Sequence, residues 1–260
     1  WKSMFKKYWK FFVIFWSVVL VGIIGVFVFF WLISAGKLGF MPTFEELENP
    51  NNRFASEVYF ADGPIMNRYF EKENRKYIEY REIPQSVIDA LIATEDVRFY
   101  DHSGVDVRGL FRVAKGLLTA NTSAGGGSTI SQQLAKMLFP RESDLNVFEL
   151  AIRKFREWVI AVRLEKSYTK EEILTMYLNK YDFLNLAVGI SSAADIYFQV
   201  PLDSLKVEQA AMLIGMAKNS SYYNPVRRPE LTLNRRNVVL SQMYKYDKIT
   251  REECDSLKKL

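Results

Sequence analysis

A chain of 260 residues allows one large domain or two small ones, and 49% hydrophobic with 15% aromatic residues excludes a disordered chain. The formal net charge of +5 sits in residues 1–37, where Lys2, Lys6, Lys7, Lys10 and Lys37 meet no acid, while the remaining 30 basic residues are matched by all 30 acidic ones. A folded body without basic excess argues against nucleic acid as a partner, and a single cysteine, Cys254, permits no internal disulfide.

Residues 1–10 form a basic segment expected to stay in the cytoplasm. Phe11 then opens 25 charge-free residues, FFVIFWSVVLVGIIGVFVFFWLISA. As a helix they measure roughly 37 Å, enough to cross a ~30 Å hydrocarbon core with some tilt. The run exceeds the apolar stretch of a cleaved signal, so one transmembrane helix is expected over 11–36, with everything after Lys37 on the outer face of the cytoplasmic membrane.

Residues 37–82 read as a juxtamembrane linker and a β-hairpin, because SEVYFADGPIMNRYF alternates about Asp62-Gly63. Helical periodicity takes over after Pro84, at about 84–100, 105–119, 128–138, 146–166, 169–179, 186–197, 206–218 and 230–245. Thr169 with Glu172 three residues on is a capping box. The pattern predicts a mainly α domain over 83–245 with a small β element ahead of it, and a C-terminal segment, 246–260, suited to a linker.

Three constellations carry chemical information. In ALIATEDVRFYDHSGVD, Glu95 follows Ile88 by seven residues and Leu91 by four, on the apolar face of a helix. A carboxylate there is either a satisfied structural acid or one poised for chemistry. In TSAGGGSTISQQLAK, three glycines lead into Ser128 and Thr129 at a helix start, where free N–H groups favour an anion. Lys136 offers a point charge two turns on, although a flexible connector explains the glycines equally well. In IRKFREWVIAVRLEK, Glu157 follows Arg153 by four and Lys154 by three, the spacing of an ordinary helical ion pair.

Taken together, ATEDVRFYDHSGVD, GGSTISQQLAK, RKFREWVIAVRLE and EEILTMYLNKYDF…VGI…AADIYF, in this order, resemble the peptidoglycan glycosyltransferase domain (glycosyltransferase family 51) of class A penicillin-binding proteins and monofunctional transglycosylases. The resemblance runs from about Ile83 to Pro229. It implies a lysozyme-like, mainly α domain against the membrane. The implied partners are lipid II, the growing glycan chain, membrane lipid and other cell-wall synthesis proteins. It further implies polymerisation into β-1,4 glycan with inversion and release of undecaprenyl pyrophosphate.

By the same resemblance, Glu95 is expected to be the general base and Glu157 the second catalytic glutamate. Asp96, Phe99, Ser128, Thr129, Gln132 and Gln133 fall in the substrate groove, and Lys136, Arg153 and Lys154 face the leaving pyrophosphate. No cofactor is required, and Mg²⁺ or Mn²⁺ near Glu157 is compatible. His102 matches a structural, hydrogen-bonding position. The chain departs from the family pattern at Met137, at Leu184 and Leu186 in place of glycines, in YFQV, and at Glu149, which replaces a basic residue for which Arg141 is a substitute. It contains no K-T-G string, so no transpeptidase site is expected within it. A membrane-anchored muramidase, which would also use two carboxylates, and an inactive cell-wall scaffold are the alternative readings.

Overall fold

The charge-free run folds as one helix, α1 (Lys2–Ser34), whose stretch Tyr8–Ser34 is long and apolar enough to cross a membrane. The computed structural model describes residues 2–43, 56–59, 65–69, 74–119, 126–138 and 146–260. After α1 come β1 (Ser56–Tyr59) and β2 (Ile65–Tyr69), which pair antiparallel with Ser56 opposite Tyr69. The Asp62-Gly63 turn expected between them lies outside the described residues. β3 (Asn74–Arg75) pairs in parallel with the short β4 (Ala187–Val188).

The helical body comprises α2 (Gln85–Glu95), α3 (Val107–Leu118), α4 (Ile130–Leu138), α5 (Val147–Ser167), α6 (Lys170–Lys180), α7 (Ile190–Phe198), α8 (Val207–Met216), α9 (Pro229–Lys245) and α10 (Arg251–Leu257). Two packed groups form it. α2, α8 and α9 lie against one another, with α10 on α9, and α4 lies against α5 and α6. One continuous core, including Leu91, Phe99, Leu134, Leu164, Tyr177, Ile214 and Leu240, joins them.

Local chemistry sets the helix starts. Thr169 and Glu172 form the expected capping box on α6, and Thr250 with Glu253 repeats it on α10. α10 occupies the segment expected as a linker, and it buries Cys254 against the core. The first helix stops at Glu95 rather than near residue 100, because Asp96 leaves the helix at φ −157° to bond elsewhere. Helix was also expected from 186, yet α7 begins at Ile190. Leu184, Asn185 and Leu186 stand instead at φ 64°, 52° and 68°, a left-handed turn closed by Ala187 N–H on the Leu184 carbonyl. Leucine meets a steric penalty there that glycine avoids.

α1 is docked, not merely tethered. Phe29 and Phe30 meet the Phe155 ring edge-on at 5.3 and 5.8 Å, and Arg163 of α5 donates to the Ser34 carbonyl (2.9 Å), Ser34 Oγ (2.7 Å) and the Pro42 carbonyl (3.2 Å). A cation on the last carbonyls of a helix satisfies groups the helix itself leaves open.

The left-handed turn yields a stability prediction. Leu186 is largely exposed, so Leu186→Gly relieves strain while giving up little packing. It should stabilise the detergent-solubilised chain by about 0.5–1 kcal/mol, the left-handed penalty less the extra freedom of glycine in the unfolded chain. Leu186→Val should lower the unfolding midpoint. A midpoint depressed by the glycine variant contradicts the strained geometry.

Candidate active site

α2 delivers Glu95 on the face shared by the buried Ile88, Leu91 and Ile92. The carboxylate, 14% exposed, is met from two other helices. Gln133 Nε2 of α4 donates to Oε2 at 3.0 Å, and Arg235 Nη2 of α9 donates to Oε1 at 3.3 Å. Tyr177 OH of α6 donates to Gln133 Oε1 at 3.0 Å, which turns the amide NH₂ toward Glu95. A carboxylate on an apolar face is tolerable because each oxygen has a donor. Burial, reinforced by the Glu95 charge, drives the Tyr177 phenol well above its usual value of 10, and burial pushes Tyr181 up to about 12, so both are neutral near pH 7.

The next residue builds the frame. Asp96 Oδ2 accepts the Ile130 N–H at 3.0 Å and so satisfies the N-terminus of α4. His102 Nδ1 accepts the Gly104 N–H at 3.2 Å, which leaves the ring hydrogen on Nε2 for Asp96, whose oxygens lie 3.0 and 3.1 Å away. Gly104 has φ +92°, and a Cβ there would meet the backbone of Ala161 and Val162 at 2.7–2.8 Å. Only glycine lets this loop lie against α5. Its carbonyl accepts Thr129 Oγ1 at 2.7 Å and Gln132 Nε2 at 3.2 Å.

These bonds revise the expected groove. Phe99 is fully buried, with Lys170 Nζ 4.3 Å from its ring, and Gln132 is likewise buried, so both lie beneath the surface rather than on it. Asp96 and Thr129 reach the cavity wall only while bonded internally. The cavity opens beside Glu95 and Asp96 and is lined further by Arg98, Asp106, Arg112 and Gly126–Thr129. Asp106 accepts the Gly109 N–H at 2.9 Å at the start of α3 and pairs with Arg98. Burial pushes the Asp106 carboxyl up, but those two partners outweigh it and hold it below the usual carboxylate range. Arg112 Nη2 donates to the Gly126 carbonyl at 3.4 Å.

The glycine-led loop is tied to the second glutamate. Lys154 Nζ donates to Ser128 Oγ at 3.0 Å and to Glu157 Oε2 at 2.8 Å. The ion pair of Glu157 is thus made at i−3 by Lys154. Lys136 is exposed on α4, one turn beyond Gln133. Glu149 takes part in the capping box of α5, accepting the Asn146 N–H at 2.8 Å while Asn146 Oδ1 accepts its own N–H at 3.0 Å. Its acidic side chain therefore has a folding role where a basic one was expected. Arg141 lies outside the described residues. The residues present do not fit a protein-held divalent ion at Glu157: an ammonium sits on its carboxylate, and among the described residues no three His, Cys, Asp or Glu side chains gather as ligands.

Sequence reasoning missed Arg235, Tyr177 and Arg112. Arg235 carried a signal, since it shares a helical stripe with Thr232 and Val239, where a basic residue is out of place. Tyr177 and Arg112 carried none, because each gains its meaning from a neighbour on another element.

The family model described as Transglycosylase matches residues 62–244. The chain is 37% identical over 215 residues to penicillin-binding protein 1A of Escherichia coli (strain K12), covering 83% of this chain and 25% of that protein. It is 38% identical over 205 residues to penicillin-binding protein 1A of Pseudomonas aeruginosa, covering 79% and 24%. It thus spans about a quarter of the length of these relatives. A crystal structure of penicillin-binding protein 1A from Haemophilus influenzae overlies 81% of this chain and 21% of its own at 23% identity and a TM-score of 0.45.

The buried phenols predict the alkaline stability. Each is raised in the folded state, so its stabilisation is complete below pH 10 and is lost as pH climbs through the folded value. Thermal midpoints of the wild type should fall steeply between about pH 10 and 12, and Tyr177→Phe should flatten that fall. The same variant should lower the midpoint near pH 7, since it removes the donor to Gln133, a bond worth about 1 kcal/mol. An alkaline fall of equal slope in both proteins would exclude Tyr177 as its source.

Proposed function

Because the chain belongs to the transglycosylase family, we propose that it polymerises lipid II into β-1,4 glycan strands at an external membrane surface. The observation that carries this reading is Glu95: a carboxylate held by two donors at the wall of a cavity that is also lined by the glycine-led loop backed by Lys154 and Glu157.

Glu95 acts as the general base. It takes the proton of the acceptor's N-acetylglucosamine 4-hydroxyl as that oxygen attacks C1 of the terminal N-acetylmuramic acid of the growing chain. The C1–O bond to the pyrophosphate breaks with inversion, and undecaprenyl pyrophosphate leaves as an anion. It needs charge neutralisation rather than a proton, which falls to Lys154 and Arg112 at the loop, with Arg153 and Lys136 as further candidate cations. Glu157 aims the Lys154 ammonium.

Membrane seating follows from α1 spanning the bilayer with its lysine-rich end inside. Exposed Val107 and Phe111 on α3, with Val147 and Phe148 at the start of α5, offer apolar contacts to the lipid carrying the substrate.

The test is polymerisation by the purified chain in detergent or vesicles, with glycan length read by gel electrophoresis. Glu95→Gln keeps shape and removes the base, and should reduce polymer formation by about 10²-fold or more. Polymer yield within tenfold of the wild type would rule Glu95 out as base, and release of free saccharide from preformed glycan would point to a muramidase. Glu157→Gln should slow turnover without moving the acidic limb of the pH profile, and its effect should be non-additive with Lys154→Ala, because the pair acts as one unit. A lost limb would make Glu157 a proton-transfer residue. Protease added outside spheroplasts should digest the domain beyond Lys37, and full protection would reverse the topology.

A further inference from the structure

We propose that Arg235 is a positioning residue for the reaction, a fixed cation that holds the Glu95 carboxylate with its free lone pairs aimed into the cavity. The inference rests on Glu95 being the base. It starts from a contact between residues 140 positions apart: Arg235 Nη2 lies 3.3 Å from Glu95 Oε1, with side chains 11% and 14% exposed. An ion pair this far from solvent is not weakened as a surface pair is.

Arg235 is itself held from several sides. Its Nε donates to the Gly215 carbonyl at 3.4 Å, near the negative end of α8, and its guanidinium lies 5.8 Å from the centre of the Tyr223 ring. Gly215 makes the approach possible. A Cβ there would stand 3.2 Å from Arg235 Cγ, so the missing side chain is the space in which the arginine stem runs. The guanidinium is therefore built into the fold and points at Glu95 before any substrate arrives.

The other charges around Glu95 are accounted for. Asp96, beside it, is turned toward His102 and the start of α4. Tyr177 and Tyr181 from α6 are neutral. Across the cavity Arg98 and Asp106 pair with each other, and Arg112 donates to the Gly126 carbonyl. Among the described residues Arg235 is the cation in contact with the carboxylate. Each Glu95 oxygen accepts one bond, from Arg235 or from Gln133, and keeps further acceptor capacity for a hydroxyl proton.

A base must be ionised before it can accept a proton, and an adjacent cation favours the ionised carboxylate. Removing Arg235 leaves Glu95 among apolar side chains with Gln133 alone, which favours the protonated acid. The activity lost should therefore be lost mainly at low pH.

The experiment is the pH dependence of lipid II polymerisation by the full chain for wild type, Arg235→Gln, Arg235→Lys and Glu95→Gln, with folding checked by circular dichroism. Arg235→Gln should move the acidic limb up by about one pH unit, with activity recovering toward wild type at higher pH. Arg235→Lys, which keeps the charge and loses the fork, should show a smaller shift and covers the case in which the glutamine variant does not fold. A ¹³C NMR titration of the Glu95 carboxyl without substrate should shift in the same direction. If both folded Arg235 variants lose activity equally at every pH, or the Glu95 titration does not move, the inference is overturned while the base assignment stands. If Glu95→Gln still polymerises lipid II, the base assignment falls and takes this inference with it.

Discussion

The Asp96 carboxylate is the constraint on which the site depends. It binds the first N–H of α4 and the His102 ring together, so the end of α2 and the start of α4 cannot move apart. Glu95 is one residue before this clamp, and Gln133 one turn into the helix that it caps. A buried carboxylate is costly unless its lone pairs are filled, and here two partners fill them. The result is a rigid corner. Glu95 points into the cavity because its neighbour is fixed the other way.

The second wall is held by a different logic. α5 presents Lys154 and Glu157 to the loop at Ser128, while Phe155 and Arg163 of the same helix hold the end of α1. One helix thus faces both the long apolar helix α1 and the glycine-led loop. A lipid-linked pyrophosphate must present its charge close to the plane where its tail enters the membrane. Under the proposed function, a helix joined at once to α1 and, through Lys154, to the loop meets that geometry with few intervening parts.

The departures from the family pattern divide in two. Glu149 is absorbed by the capping of α5, where its carboxylate stabilises a helix start. Leu184 and Leu186 are not absorbed in this way. They adopt the left-handed backbone that glycine takes freely, and the turn is retained because flanking bonds over-determine it: Asp182 Oδ1 accepts the Leu184 N–H at 2.7 Å, and Asn185 Nδ2 reaches Tyr197 OH at 3.1 Å.

Much of the architecture was legible in residue order alone. The charge-free run, the helical periods from Pro84 onward and the Thr169 capping box depend on neighbours within about seven positions, and local sequence determines such features. The same holds for Glu95 on its apolar face. Tertiary structure decided the rest. The end of α2 at Glu95 follows from a bond between Asp96 and Ile130, 34 residues on, and the burial of Phe99 and Gln132 from packing against the second helical group. Arg235 acquires its partner across 140 residues, through a gap left by Gly215. Spacing along the chain specifies which face of a helix a side chain occupies. What that face meets is set by long-range packing, and there the partners and aim of the carboxylate are decided.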